Sequence, residues 1–251
     1  MIKNLTRLAV ILPVIFFTSC QKDQSGDLPA ATDKIKTYTE DITSPGIGHS
    51  VVTYNLKYDA NDRITSLISA SDPGNKIVYT YNTANSFSSD LYNANVLESH
   101  EELYLVNNYV DSTYQYNNTG DTATEKFIYN AAKEWVKSYE YSYSKLTGAV
   151  LQNTITYTYD GNGNQLKAEG TDTNVDTYEY YPDLVYIHPL IGPALEPPVK
   201  HNLIKTHTST SNGYSIGTAI FTYTFDSNNR ISIEKAEVDD GSVVIKTYTY
   251  Y

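Results

Sequence analysis

Along most of the chain apolar and polar residues alternate one for one, and the apolar member is most often tyrosine. From Val51 to Tyr58, Val52, Tyr54, Leu56 and Tyr58 alternate with Thr53, Asn55 and Lys57. Ile155, Tyr157 and Tyr159 alternate with Thr154, Thr156 and Thr158, and Phe221, Tyr223 and Phe225 repeat the pattern. Side chains two apart share one face of a strand, so each run predicts a half-buried β-strand. Three runs end in a similar polar phrase: Tyr58-Asp59-Ala60-Asn61-Asp62-Arg63-Ile64, Tyr159-Asp160-Gly161-Asn162-Gly163-Asn164 and Phe225-Asp226-Ser227-Asn228-Asn229-Arg230-Ile231. With Asp72-Pro73-Gly74-Asn75, Asn118-Thr119-Gly120-Asp121, Asn212-Gly213 and Asp239-Asp240-Gly241, these read as hairpin turns. The alternating runs amount to roughly 13 strands joined by short links. The one helix-like stretch, Ala131 to Ser138, is short and holds Trp135 and Val136, which suit a strand equally. The expectation is an all-β chain: an antiparallel meander forming a strongly curved sheet or a barrel-like single domain over residues 36–251.

The first residues read as an address rather than as part of that fold. Lys3 and Arg7 precede an apolar run, Leu8 to Phe17, too short to span a bilayer. Phe17-Thr18-Ser19-Cys20 then resembles the lipobox of bacterial lipoproteins, which implies cleavage before Cys20 and its acylation. Residues 1–19 are thus a signal peptide and residues 20–35 a lipidated tether. Gln21-Lys22-Asp23 resembles the export signal that places some lipoproteins on the outer face of the outer membrane. Cys20 is the one cysteine of the chain, so no internal disulfide forms.

Cleavage removes Lys3 and Arg7 from 18 basic side chains and none of the 29 acidic ones, moving the net charge from −11 to −13. So acidic a chain is a poor ligand for nucleic acid and for anionic headgroups, and it stays soluble on a tether. A membrane-spanning barrel is disfavoured. Tyrosine and threonine stand where lipid-facing strands need sustained Leu, Val, Ile and Phe, and buried phenols need partners that hydrocarbon lacks.

Tyrosine supplies 25 of the 251 residues, repeatedly as Tyr-x-Tyr: Tyr79/Tyr81, Tyr114/Tyr116, Tyr139/Tyr141/Tyr143, Tyr178/Tyr180 and Tyr248/Tyr250. These phrases resemble the tyrosine-aspartate repeats of Rhs-type β-proteins, with Arg63 and Arg230 keeping the arginine of the repeat turn. Taken with the lipobox, the Tyr-Asp-x-x-x-Arg-Ile turn and the late Asn202-Leu203-Ile204-Lys205, the chain resembles a family of bacterial lipoproteins of unknown function. That resemblance covers about residues 36–251 and implies a porin-like β meander approaching a barrel. It implies no activity.

The candidate chemistry is thin. Asp160-Gly161-Asn162-Gly163-Asn164 opens like an EF-hand loop, but Gln165 replaces the turn glycine and Thr171 the bidentate glutamate, so a hairpin turn explains it better. His201 and His207, six apart, share a face if their strand is unbroken, but two imidazoles without a third ligand favour solvent-exposed histidines over a metal site. Glu101 and Glu102 point to opposite faces and cannot serve one substrate together. Pro182 to Lys205 holds five of the nine prolines and reads as a long connection outside the sheet. No hydrolase or phosphate-loop motif occurs. The expectation is therefore no catalytic residue, no metal and no cofactor, with ligand-binding residues unassigned and Cys20 as the lipidation site. Function reads as a lipid-anchored outer-membrane module, exposed at the surface, that binds a carbohydrate or protein without catalysis; its partners are the membrane and that ligand, not nucleic acid. The alternative is a polysaccharide hydrolase, which needs two carboxylates brought together in space.

Overall fold

The computed structural model describes residues 34–107, 109–117, 122–144, 148–186 and 201–251. The chain opens with β1 (Ile35–Ser44), β2 (Gly48–Tyr58), β3 (Ile64–Ser69), β4 (Lys76–Thr83), β5 (Ser86–Asn93) and β6 (Val96–Val106). Then come β7 (Tyr109–Asn117), β8 (Thr122–Tyr129), β9 (Trp135–Ser144), β10 (Gly148–Tyr159) and β11 (Gln165–Gly170). It finishes with β12 (Asn174–Tyr186), β13 (His201–Ser211), β14 (Tyr214–Phe225), β15 (Ile231–Val238) and β16 (Val243–Tyr250). Each strand pairs antiparallel with the next, and β16 returns to β1, closing a barrel of 16 strands. Closure pairs both edges that an open meander would leave.

Sixteen strands exceed the expected count because some hairpins turn without glycine or proline. Between β5 and β6, Ala94 and Asn95 both take positive φ, 48° and 65°, and Asn107 does so at 54° between β6 and β7. Left-handed backbone at an alanine leaves little trace in sequence. The helix-like stretch resolves as a turn followed by β9. The proline-containing segment is corrected in part: Pro182 still lies in β12 and Asn202 to Lys205 in β13, while residues 187–200 lie outside the described residues.

The registers assign side chains to one wall or the other. Tyr38 stands opposite Tyr54 on β2 and Tyr248 on β16, and all three point into the barrel. Thr37, Thr39, Thr53 and Thr249 point outward, with the Thr37 and Thr249 hydroxyls 2.6 Å apart. Two apolar clusters fill the interior: Ile35, Leu56, Ile64, Leu67, Leu203 and Ile231 in one, and Phe87, Leu103, Val110, Phe127 and Trp135 in the other. Both lie toward the end bearing the turns that follow even-numbered strands. That end is the base, and the other is the mouth.

Four base turns repeat one design. In each, a side-chain oxygen accepts the N–H four residues on: Asp59 from Arg63 at 3.0 Å, Asn130 from Glu134 at 3.0 Å, Asp160 from Asn164 at 2.9 Å and Asp226 from Arg230 at 2.9 Å. The fourth residue is left-handed every time: Asp62, Lys133, Gly163 and Asn229. The recurring Tyr-Asp phrase is this turn, with the aspartate serving its own backbone.

The tyrosines answer a second need. Register shifts occur where β1, β3, β7, β11, β13 and β15 leave the base. A bulge leaves a residue without a ladder partner. At each shift a tyrosine hydroxyl donates to the backbone carbonyl there: Tyr58 to Ile35, Tyr81 to Ile64, Tyr129 to Val110, Tyr180 to Gln165, Tyr223 to Ile204 and Tyr250 to Ile231, at 2.6–3.1 Å. In two of these units the turn's arginine covers the tyrosine ring, Arg63 over Tyr81 at 3.9 Å and Arg230 over Tyr250 at 4.1 Å. Tyr250→Phe keeps the ring and removes the donor, so a loss of about 1–2 kcal/mol is expected. Urea unfolding checks it, and an unchanged midpoint would mean that the bulge carbonyl finds water.

Candidate functional site

The inner wall changes character from base to mouth. Above the apolar clusters runs a polar belt. On one side Glu234, Lys246 and Glu40 stand opposite one another on β15, β16 and β1, with Lys246 Nζ 3.2 Å from Glu234 Oε1. On the other side Glu125 and Glu140 are direct partners across β8 and β9, and Glu101 lies on the same wall of β6. Burial pushes the Glu125 carboxyl up to about 7; a hydrogen bond with Ser138 opposes that rise, and Glu140 and Glu101 add to it. Glu101 is raised as well, again chiefly by burial.

A third inward group joins β12 and β13. His207 Nε2 lies 2.9 Å from Asp176 Oδ1, Ser209 Oγ donates to the same oxygen, and the Tyr178 ring stacks on His207 at 4.7 Å and 4°. Burial works to raise Asp176, but hydrogen bonds from His207 and Ser209 outweigh it and hold the carboxyl below its usual range. Serine, histidine and aspartate do not form a catalytic triad here. A triad uses both imidazole nitrogens, Nε2 toward the serine and Nδ1–H toward the aspartate. Here Nε2 alone faces both partners, and the serine donates to the aspartate. Nearer the mouth, Leu91 and Val150 point inward yet are 38% and 41% exposed, so water enters the lumen.

The outer wall of β5 to β10 carries a different set of tyrosines. One row across these strands reads Asp90, His100, Tyr116, Thr122, Tyr143 and Ala149; the next reads Ser88, Glu102, Tyr114, Thr124, Tyr141 and Leu151. Tyr104, Lys126 and Tyr139 belong to a third. Tyr104, Tyr114, Tyr116 and Tyr143 are 44%, 38%, 37% and 50% exposed, unlike the inward tyrosines of the base. His100 stacks on Tyr116 at 4.9 Å and meets Asp90 at 2.6 Å, and the Tyr104 hydroxyl donates to Glu102. Tyrosines on β7 and β9 stand two strands apart, about 10 Å, with threonines between them.

The same registers place Lys57, Asp90, Lys126, Lys137, Lys167 and Lys235 on the outside, spread around the barrel. A hydrocarbon belt about 25 Å tall would have to bury several of them, so this wall faces water.

The residues singled out in sequence fare differently. Cys20 lies outside the described residues. Glu101 and Glu102 do point to opposite walls, inward and outward. Asp160 spends its carboxylate on the N–H groups of Asn162 and Asn164, as a hairpin turn requires. His207 is not a freely exposed histidine: it faces the lumen against Asp176 and Tyr178, because β13 presents that parity to the inside. Among the described residues no group of three or more potential metal ligands is gathered. Sequence reasoning missed the Glu125–Glu140 pairing and the outer tyrosine rows, since both depend on cross-strand register.

No family model matches the chain, and no curated protein does. Among solved structures, a porin-like protein from Bacteroides uniformis superposes with a TM-score of 0.62 at 15% identity, covering 88% of this chain and 98% of that one. A porin-like protein from Bacteroides vulgatus gives 0.60 at 10% identity, covering 87% and 98%. The fold is porin-like. The meander expected from the tyrosine phrases is therefore a closed porin-like barrel, spanning nearly the full length of both of those proteins. At such identities the likeness concerns the fold alone.

Proposed function

We propose that this barrel is a non-catalytic carbohydrate-binding module, held at the outer membrane through acylated Cys20 and gripping its ligand on the outer tyrosine wall. One observation carries the reading: tyrosines of the base are spent on core packing and bulge carbonyls, whereas Tyr104, Tyr114, Tyr116 and Tyr143 present themselves to solvent. Aromatic faces with neighbouring threonine, carboxylate and imidazole groups suit a sugar, whose C–H face stacks while its hydroxyls seek hydrogen bonds. The spacing of about 10 Å between β7 and β9 matches roughly two pyranose rings of an extended chain.

Affinity electrophoresis through gels containing soluble polysaccharides tests this. The wild-type protein is expected to be retarded by at least one polymer. The Tyr114→Ala/Tyr141→Ala/Tyr143→Ala variant is expected to lose most of that retardation, about tenfold in apparent affinity, at unchanged thermal stability. Retention equal to wild type would remove the wall from consideration.

A hydrolase is the second reading, favoured by one feature: Glu125 and Glu140 face each other on the lumen wall, and the environment sets the Glu125 carboxyl at about 7. A carboxyl raised in this way, with a second one facing it, suits the acid of a glycosidase pair. New reducing ends appearing in the gel polymer, and vanishing with Glu125→Gln, would select this reading instead.

A further inference from the structure

We infer that the barrel stands on the lipid surface with its base down and its wet mouth turned away, the base being a lipid-contact face. This rests on the proposed acylation of Cys20 and deepens it. The described chain enters at Lys34 on the base, where the Tyr251 N–H also donates to the Lys34 carbonyl at 3.1 Å. Fourteen residues separate the anchor from that point, Cys20 to Asp33, so the tether reaches at most about 50 Å. Laying the mouth on the membrane would use up the barrel height, about 28 Å for an 11-residue strand tilted near 40°. Laying the base down uses none of it.

Charge points the same way. Within two residues of the described mouth turns stand Asp72, Glu169, Asp172, Glu237, Asp239 and Asp240, against the single lysine Lys76. By the same measure the base holds Lys34, Lys36, Lys57, Arg63, Lys133 and Arg230, balanced by five carboxylates. An anionic surface therefore repels the mouth and tolerates the base, an effect confined to a Debye length of about 8–10 Å.

A third observation is independent of both. Lysines lie over tyrosine rings more often at the base, Lys34 over Tyr58, Lys36 over Tyr251 and Lys133 over Tyr109 at 4.9–6.0 Å, than at the mouth, where Lys76 lies over Tyr92. Lysine stems beside tyrosine rings are the side-chain chemistry of a membrane–water interface.

The test uses the full-length acylated protein, in which Cys20 carries lipid and an introduced cysteine takes a fluorophore. Asn61→Cys labels a base turn and Ser71→Cys a mouth turn, both exposed. Each is placed on phosphatidylethanolamine–phosphatidylglycerol vesicles containing a headgroup nitroxide lipid. Quenching at position 61 is expected to exceed that at position 71 at least twofold. Equal quenching, or stronger quenching at position 71, on protein that sediments with the vesicles overturns the orientation alone. If the wild-type protein washes off in carbonate as readily as Cys20→Ala, the anchor fails and the orientation with it.

Discussion

Lys246→Met is expected to destabilise the barrel by about 3–5 kcal/mol. Lys246 and Glu234 are 9% and 2% exposed, and the ammonium lies 3.2 Å from the carboxylate. Burial first, and this carboxylate after it, push up the hydroxyls of Tyr38, Tyr223 and Tyr248, so the carboxylate sits among phenols. Removing the ammonium leaves that charge in a dry environment with its counter-ion gone. Replacing both partners, as Glu234→Leu/Lys246→Met, removes the desolvation problem along with the attraction and is expected to recover most of the loss. Chemical denaturation of the two variants decides the matter. A single variant as stable as wild type would show that water reaches the pair.

Glu125→Gln is expected to act in the opposite direction and only in part of the pH range. Burial lifts this carboxyl from an ordinary 4.5 to about 7. A folded state that holds its proton more tightly than the unfolded one is most stable when the group is protonated. Stability is then lost as pH rises from about 4.5, where the unfolded chain begins to ionise, to about 7, where the folded one follows. The shift of about 2.5 units corresponds to about 3 kcal/mol at 1.36 kcal/mol per unit. Glutamine carries no proton to lose, so the variant is expected to gain that amount above pH 7 and to flatten the profile. Glu101, raised for the same reason, retains a smaller dependence of the same sign. Parallel denaturation curves for the variant and wild type across the whole range would mean that Glu125 is solvated in the lumen.

Much of the architecture is legible in the sequence because the alternation has period two and the turns carry their own chemistry. Spacing alone puts Tyr54, Leu56 and Tyr58 on one face, and that face is the interior. The polar phrases mark Asp59, Asp160 and Asp226 as turn residues, and each accepts hydrogen bonds from its own turn. Strand number was less legible, since hairpins such as Ala94–Asn95 depend on backbone sign rather than on residue type. The candidate site was almost illegible. Tyr114 and Tyr141 obey the same Tyr-x-Tyr spacing as Tyr248 and Tyr250, yet the first two face water and the last two face inward.

Composition and periodicity by themselves determined an all-β antiparallel meander with polar hairpins, because alternation and turn preference act over a few neighbouring residues. Only the tertiary structure decided the rest. Closure of β16 onto β1 relates residues more than two hundred positions apart, as Thr37 to Thr249. It also decides which parity of each strand is inside, which carboxylates meet on the lumen wall, and which tyrosines remain wet. Those outcomes follow from cross-strand register, which bulges and left-handed turns shift by one residue at a time, and a shift of one residue exchanges the two walls.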